Sequence, residues 1–393
     1  MNNIPSADFI VIGLGAAGSA VAHHLARSGA SVIGIDRFHP PHEQGSSHGR
    51  TRITRLAVGE GAAFVPLVQR SHALWRELEA ETGTELYRRT GGVMIASALS
   101  DTGYFHGRPG FFARTTALAR QFGIAHEMLS AAEVQERFPQ FMVAGDEEAY
   151  FEPDAGVLFP ERCVAAQLHA AARHGAVLRL GEAVQGVAQQ GAAVQVTTAR
   201  GRLSAAQVVL CAGAWLPGLA GGLFAPRLAV RRQVLYWMRT ARPDLYAAER
   251  APVFIWQHGT GPSDSMYGFP MIDGVDGLKI ATEFYGATCD PDAVDRVVTP
   301  AEVQTFFNGH VRNRLAHVQA EAVATATCLY TSTADGNFIV DAHPDMPGVT
   351  VLSACSGHGF KHSAGLGQAV AQRLTGQAPH ADLGAFAWAA QAA

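Results

Sequence analysis

The stretch "DFIVIGLGAAGSAVAHHLARSGASVIGID" (residues 8–36) decides the fold. A short apolar run leads into a glycine turn, a helical segment with one apolar face follows, and a second apolar run ends at Asp36. This order is typical of a strand–helix–strand unit. Gly13, Gly15 and Gly18 allow a tight turn, close approach of a pyrophosphate, and close packing of helix on strand. We therefore predict dinucleotide binding rather than a purely structural turn, with the carboxylate of Asp36 on a ribose hydroxyl.

Composition excludes several classes of protein. The 393 residues are 48% hydrophobic, which predicts a soluble globular chain of one large or two ordinary domains. A net charge of −4 argues against a nucleic-acid partner. The chain lacks an apolar run long enough for a membrane span and a basic, apolar leader, so neither membrane nor secretion is expected. Five scattered cysteines without C-x-x-C pairing argue against disulfides and structural zinc and favour a reducing cytoplasm.

Two further segments repeat the first pattern. Residues 205–215 and 349–374 each read as a buried strand followed by small residues, and the second continues into a helix. Short β runs with loops fill the middle region, residues 226–320. We predict an α/β protein whose Rossmann-type domain is discontinuous, with an α+β second domain of mixed sheet inserted into it.

The loop at residues 42–55, "HEQGSSHGRTRITR", concentrates positive charge after the acid strand. One interpretation is a solvated basic loop. The other is a grip on an anionic cofactor and an anionic substrate, because arginine binds carboxylates in a bidentate way.

Two lysines carry similar alternatives. Lys361 lies with His358 among glycines at the start of a helix. It is either a surface residue of the first turn, where a positive charge is unfavourable, or a cation whose charge a negative ligand compensates. Lys279 alternates with Leu278 and Ile280 in a strand pattern, so it faces either solvent or a cavity.

Cys328, in "TATCLYTSTADGNFIVD" (residues 325–341), also has two interpretations. It is a small buried hydrophobe, or a thiolate that attacks or is attached to a cofactor. No set of His, Cys, Asp and Glu has ligand spacing, so no metal site is predicted.

Taken together, the chain resembles the monomeric sarcosine oxidase and N-methyltryptophan oxidase family. The matching motifs follow the family's order nearly end to end: "VIGLGAAGSA", "DRFHPPHEQGSSHGRTRITR", "GEGAAFVPLVQRSHALW", "FEPDAGVLFPERC", "CAGAW", "YGFP", "GLK", "CLYTSTADGNFIVDAHP" and "SGHGFKHSAGLG".

The resemblance implies a monomeric FAD-dependent oxidase of secondary or N-methylated amino acids that releases hydrogen peroxide. It implies an FAD-binding domain at 1–86, 149–225 and 322–393 and a substrate domain at 87–148 and 226–321. It also implies a thioether from the flavin to Cys328, with Tyr330 reaching the substrate pocket from the same strand.

The resemblance implies that residues of this chain that match the family's motifs have the same roles as the family's residues. Arg55 and Lys361 match the pair that holds the substrate carboxylate, and Lys279 matches the lysine at which oxygen is activated. His48, Thr51 and Arg52 match residues close to the flavin ring, His48 and Arg52 being candidate catalytic residues. The substrate-binding set is Arg55, Lys361, Tyr267, Tyr330 and Glu283. The cofactor-binding set is Gly13, Gly15, Ala16, Ala17, Gly18, Asp36, Arg37, His42, Ser46, Thr51, Arg52, Val184, Ala212, Gly213, Trp215, Cys328, Gly357, Gly359, Phe360 and Lys361.

Three positions depart from the family. Arg50 replaces an aspartate, Val58 replaces a tyrosine, and Glu283 lies where a pocket histidine is expected. Glu283 either favours a larger substrate or one with a second positive group, or pairs with Arg50 or another arginine away from substrate.

Two other functions stay open at this point. One is a flavin dehydrogenase that passes electrons to a quinone or a carrier protein. The other is a flavin- or nucleotide-binding protein without turnover, acting as a sensor or scaffold.

Overall fold

A computed structural model describes residues 4–272 and 274–387. The helices, in chain order, are α1 (Ala16–Arg27), α2 (Phe64–Thr82), α3 (Phe111–Gln121), α4 (Ala131–Arg137), α5 (Pro160–Arg173), α6 (Leu216–Leu219), α7 (Pro300–Phe306) and α8 (Ser363–Leu374). The strands are β1 (Ser6–Ile12), β2 (Val32–Ile35), β3 (Arg52–Thr54), β4 (Tyr87–Arg89), β5 (Gly92–Ser97), β6 (Glu127–Ser130), β7 (Glu147–Glu152), β8 (Gly156–Leu158), β9 (Val177–Arg179), β10 (Val184–Gln190), β11 (Ala193–Thr198), β12 (Gly201–Leu210), β13 (Ala229–Thr240), β14 (Val253–Gln257), β15 (Ser265–Gly268), β16 (Leu278–Ala281), β17 (Val318–Ser332), β18 (Ile339–His343) and β19 (Met346–Ser353).

The first sheet is built around the opening β1–α1–β2 unit. Strands β9, β2, β1, β12 and β19 run parallel, in that order, while β10 and β11 form an antiparallel extension next to β12 and β18 pairs with β19. Helix α1 packs against α5 and α8. A Cβ added at Gly367 of α8 would lie 2.8 Å from the backbone carbon of Ala20, so glycine is what lets α1 and α8 approach this closely. This arrangement confirms the predicted Rossmann-type α/β fold.

The second sheet has eight strands in the order β17-β13-β16-β15-β14-β5-β7-β6. Its neighbours are antiparallel except β14 and β5, so the predicted mixed sheet is also confirmed. Phe141, Phe254 and Trp256 pack in its core. Strands β3, β8 and β4 form a third, small sheet.

The division into domains stays a prediction. Strand β7 begins before the predicted boundary at residue 149, and β17 crosses the one at residue 322, although both belong to the second sheet. None of the helices within the described ranges combines the length and apolar character that crossing a membrane requires.

Candidate active site

A cavity of about 400 Å³ lies where the parallel strands of the first sheet end. The segments that follow β1, β2, β12 and β19 all contribute to its wall, as expected for ligand sites at the carboxyl ends of parallel strands. Residues of β14, β15 and β17, from the second sheet, also line the cavity. The two sheets therefore enclose the site between them.

Most residues predicted from the sequence meet in this cavity. The lining includes Gly13, Gly15, Ala16, Ala17, Asp36, Arg37, His42, Ser46, Arg52, Arg55, Val184, Ala212, Gly213, Trp215, Tyr267, Glu283, Tyr330, Gly357, Gly359, Phe360 and Lys361. Five predicted residues lie outside the lining, within the part of the chain that the structure describes: Gly18, His48, Thr51, Lys279 and Cys328.

The glycine turn after β1 has the features that a dinucleotide requires. Gly13 has φ of +87°, and a Cβ there would lie 2.5 Å from the carbonyl oxygen of Cys211. A Cβ at Gly18 would lie 1.8 Å from the carbonyl oxygen of Gly13, so α1 closes tightly on β1. Gly15 faces the cavity. The turn thus places the N-terminus of α1 on the cavity wall, and a helix N-terminus is where a pyrophosphate binds.

Asp36 stands at the end of β2 and lines the cavity. Its Oδ2 accepts a hydrogen bond from the amide of Leu14 and its Oδ1 accepts one from the amide of Phe38, both at 2.8 Å. The carboxylate therefore ties the glycine turn to the next loop, and its remaining lone pairs can accept from a ligand hydroxyl.

The loop at residues 42–55 is folded into the protein, so the solvated alternative is wrong for most of it. Nη2 of Arg52 donates to the carbonyl of Ser46 at 2.7 Å and its Nη1 to the carbonyl of Thr51 at 2.8 Å. His48 is buried, and burial lowers its pKa to about 3, so its imidazole is neutral at physiological pH.

Lys279 is buried rather than solvated, being 2% exposed. Its Nζ donates to the carbonyl and the hydroxyl of Thr51, at 2.8 and 2.9 Å, and to the carbonyl of Gly49. The ring of Phe269, which lines the cavity, has its centroid 4.5 Å from Nζ. The cation thus lies directly behind the wall.

Arg55 and Lys361 converge on one carboxylate, which sequence reasoning did not single out. Oε1 of Glu60 accepts from Nζ of Lys361 at 2.9 Å, and Oε2 lies 3.3 Å from Nη2 of Arg55. Burial alone would raise the pKa of Glu60, but Lys361 and Arg55 more than offset it and hold that pKa well below its usual range. The three side chains, all buried, form an ion-pair cluster on the cavity wall.

His106 extends this cluster and was also missed. Its Nε2 lies 3.0 Å from Oε2 of Glu283, and its Nδ1 lies 3.3 Å from Oε1 of Glu60. Burial lowers the pKa of His106, but the carboxylates of Glu283 and Glu60 raise it more, so the net shift is upward. The second partner of Glu283 is the hydroxyl of Tyr285. Glu283 therefore pairs with a histidine and a tyrosine rather than with an arginine, and it lines the cavity.

The spacing of Glu60, His106 and His358 would also suit a metal ion, since their ligand atoms lie within 4.8 Å of one another. The ammonium of Lys361 is already 2.9 Å from the same oxygen of Glu60, and a dication there would face strong repulsion. We interpret the group as part of the ion-pair cluster.

Strand β17 brings the tyrosine and the cysteine of the C-x-Y motif to the site in different ways. The Tyr330 hydroxyl lies in the cavity, 3.4 Å from the hydroxyl of Tyr267. Cys328 is 1% exposed and lies behind the lining. Burial raises the pKa of its thiol and Arg52 opposes that rise. Two other free cysteines, Cys211 and Cys355, line the cavity itself.

The other two positions at which the sequence departs from the family, Val58 and Arg50, lie away from the ion-pair cluster. Val58 is fully buried in the hydrophobic core beside α2. Arg50 is exposed, with φ of +69°, and its amide donates to Oε1 of Glu161 at 2.9 Å.

Comparison with known proteins identifies relatives over nearly the whole chain. Residues 8–373 match the family model "FAD dependent oxidoreductase" (DAO). The chain is 40% identical over 382 residues to a monomeric sarcosine oxidase of Streptomyces avermitilis, covering 96% of each chain. It is 33% identical to a monomeric sarcosine oxidase of Bacillus sp. (strain B-0618), covering 95% of this chain and 93% of that one. It is 32% identical to an N-methyl-L-tryptophan oxidase of Yersinia pestis, covering 97% and 98%.

Solved structures give the same result. NikD, an unusual amino acid oxidase essential for nikkomycin biosynthesis, matches with a TM-score of 0.81 and 26% identity over 98% of this chain and 97% of that one. Glycine oxidase from Geobacillus kaustophilus shares the fold, with a TM-score of 0.74, 20% identity and 98% of each chain covered. The family resemblance predicted from the sequence motifs is therefore confirmed.

Proposed function

The chain belongs to the family of FAD-dependent oxidoreductases, and on that premise we propose that it oxidises the secondary or N-methylated amine of an amino acid. It is an FAD-dependent oxidase acting on CH–NH bonds. The observation that supports this substrate class is the pair Arg55 and Lys361, two buried cations on the wall of the cavity that also contains the dinucleotide turn.

The residues present suit FAD. Backbone amides of the β1–α1 turn would hold the pyrophosphate, and Asp36 would accept a hydrogen bond from a ribose hydroxyl. Arg37 and Trp215 also line the cavity, and the guanidinium carbon lies 5.0 Å from the centroid of the indole. When bound, FAD supplies the acceptor for the hydride equivalent, two electrons and one hydrogen, that leaves the carbon next to the amine nitrogen.

The substrate carboxylate is held by Arg55 and Lys361, which then share their hydrogen bonds between it and Glu60. The two tyrosines, Tyr267 and Tyr330, line the space beside this clamp. The amine loses this hydride equivalent from carbon and a proton from nitrogen to give an imine, and water hydrolyses that imine to an aldehyde or keto acid plus an amine. The two cations keep the substrate oriented while this happens.

Oxygen is the electron acceptor in this proposal, and hydrogen peroxide is the product. The positive charge of Lys279, one ring behind the cavity wall, favours negative charge developing on oxygen there. A thioether between Cys328 and the flavin is part of the same proposal. We also propose that the protein is a monomer and that it works in a reducing cytoplasm. The five free cysteines support the reducing compartment.

A substrate screen tests the function. Purified holoenzyme is mixed anaerobically with secondary and N-methylated amino acids, and loss of the flavin absorbance is followed; air is then admitted and peroxide is measured. We expect bleaching by at least one such amino acid and about one peroxide per imine formed. Bleaching without peroxide in air would support electron transfer to a quinone or a carrier protein instead. If no amine bleached the flavin, the proposal would be overturned.

A matched pair of variants tests the carboxylate clamp. Arg55→Met should weaken binding of the substrate by about a hundredfold, because a buried charged hydrogen bond is lost. Arg50→Met removes an exposed arginine of the same loop and should change binding less than about twofold. Equal effects of the two substitutions would remove Arg55 from the substrate site.

A further inference from the structure

Glu283 is a buried carboxylate on the cavity wall, and the proposed function assigns no group of the substrate to it. It is 4% exposed and lies in the same lining as Arg55 and Lys361. A buried carboxylate is unfavourable unless it is paired and hydrogen-bonded, so its partners decide what it can bind.

The two oxygens of Glu283 differ in their surroundings. Oε2 accepts from the hydroxyl of Tyr285 and lies 3.0 Å from Nε2 of His106. Oε1 has the same imidazole nitrogen at 3.1 Å. It is also the oxygen that faces Gly357, since a Cβ built there would lie 3.0 Å from it and 3.0 Å from Cε2 of Tyr330. Gly357 and Tyr330 both line the cavity, so Oε1 is the oxygen turned toward a ligand.

The imidazole of His106 is in contact with two carboxylates. His106 contacts Glu283 through Nε2 and Glu60 through Nδ1, and a single positive charge cannot neutralise both. Glu60 has two further cations, Arg55 and Lys361. When a substrate carboxylate takes a share of those two, Glu60 depends more on His106, and Glu283 is left short of positive charge.

Glycine at position 357 keeps this place accessible. A side chain there would enter the space between Oε1 of Glu283 and the ring of Tyr330, and φ of +82° also favours glycine. The position lies next to His358, whose carbonyl accepts from Nζ of Lys361 at 2.9 Å. The carboxylate clamp and the free side of Glu283 are therefore neighbours around one short segment of backbone.

We infer that Glu283 binds a cationic nitrogen of the substrate, so that the site recognises a zwitterion: a carboxylate on Arg55 and Lys361 and a positive nitrogen on Oε1 of Glu283. His106 and Tyr285 are positioning residues, because they hold the carboxylate and leave that oxygen toward the cavity. The nitrogen is either the α-ammonium group, which gives a proton to Glu283 before the free amine is oxidised, or an ammonium group on the side chain, which stays charged. The inference rests on the proposed function and specifies its substrate class.

Pairs of isosteric ligands test the inference without turnover. N,N,N-trimethylglycine carries a fixed positive charge beside its carboxylate and cannot form an imine, and 3,3-dimethylbutanoate is its neutral carbon isostere. A longer pair, 5-(trimethylammonio)pentanoate and 6,6-dimethylheptanoate, places the charge at side-chain distance. Dissociation constants are measured by titration calorimetry on the holoenzyme, the Glu283→Gln variant and the Glu283→His variant.

We expect the wild type to prefer the charged member of one pair by at least about tenfold, as a Coulombic contact at about 4 Å in a buried site predicts. Preference in the short pair assigns Glu283 to the α-nitrogen, and preference in the long pair assigns it to a side-chain cation. Both variants should lose the preference and keep their affinity for the neutral isostere.

The contrary outcomes are distinct. Equal affinity for charged and neutral ligands in the wild type, or a preference that persists in both variants, would overturn the role of Glu283 and leave the proposed function in place. If no carboxylate bound and no amine bleached the flavin, the proposed function and this inference would both fail. The comparison within the wild type needs no variant to fold.

Discussion

Glu60 and Lys361 are in contact, with 2.9 Å between Oε1 and Nζ, although 301 positions separate them in the chain. Each is buried, and Arg55 shares the same carboxylate. The protein thus provides its own carboxylate to the two cations that would bind the substrate's. This internal partner keeps two buried positive charges compatible with the fold, because isolated charges in the interior are strongly unfavourable.

Removing the carboxylate of Glu60 should lower the stability of the fold and strengthen the binding of a carboxylate ligand. We expect Glu60→Gln to lower the free energy of unfolding by about 3 kcal/mol, since Arg55 and Lys361 lose their buried partner. Binding of propionate should become tighter, because the ligand no longer shares the cations. Denaturant unfolding with and without propionate measures both effects.

The control for this substitution is Glu77→Gln on α2. Glu77 lies 2.8 Å from Arg70, but both side chains are substantially exposed, so the loss should stay below about 1 kcal/mol. If Glu60→Gln were as stable as this control, the buried ion-pair cluster would contribute nothing to the fold.

Binding of carboxylates should fall as the pH rises through about 8. Burial lowers the pKa of Lys361 to about 8 and Glu60 opposes that shift, so the ammonium is charged below this pH and neutral above it. Affinity for propionate should be constant below about pH 7 and decrease above pH 8, by at most about tenfold per pH unit. Lys361→Arg should abolish this decrease, because a guanidinium stays charged.

The same lowered pKa has an opposite consequence for the ligand-free fold. Between pH 8 and the ordinary lysine value of 10.5, the unfolded chain binds a proton that folded Lys361 has released. The contribution of Lys361 to the free energy of unfolding therefore rises with pH in this window.

For the binding prediction, an affinity for propionate in the wild type that was constant from pH 7 to pH 10 would show that Lys361 does not hold the carboxylate.

Lys279 should govern reaction with oxygen more than reaction with substrate. We expect Lys279→Met to slow reoxidation of the reduced enzyme by roughly a hundredfold and to change reduction by substrate less than about threefold. Stopped-flow absorbance measures the two half-reactions separately. Lys279→Arg keeps the positive charge and should recover much of the reoxidation rate. Equal reoxidation rates in Lys279→Met and wild type would contradict the assignment.

The first sheet could be predicted from the sequence because its information is local. The glycine turn, the helix and the acid of residues 8–36 are contiguous, and strands β12 and β19 both end in small residues at the same edge. The face of Lys279 could not be predicted, because alternation shows that it opposes Leu278 and Ile280 but not which side of β16 is covered.

The ion-pair cluster could not be predicted for a different reason. His106 meets Glu283 across 177 positions, and a single histidine in the loop before α3 has no periodicity or spacing that distinguishes it. Glu60 carried only the family motif "GEG" as a signal. Such contacts depend on how the two sheets and their loops come together, which is information that no single segment contains.

Cys328 of the C-x-Y motif is the predicted flavin tether, and two cysteines on the cavity wall, Cys211 and Cys355, are its alternatives. Cys328 has the position of the C-x-Y motif but lies behind the cavity wall, whereas Cys355 is on the wall. We expect acid-precipitated wild-type protein to retain its yellow colour. Cys328→Ala should release the colour to the supernatant and Cys355→Ala should retain it, because Cys328 has the position of the C-x-Y motif and Arg52 opposes the rise in its thiol pKa that burial causes. Release by Cys355→Ala alone would move the tether to Cys355. Colour in the wild-type supernatant would mean that FAD is held without a covalent bond.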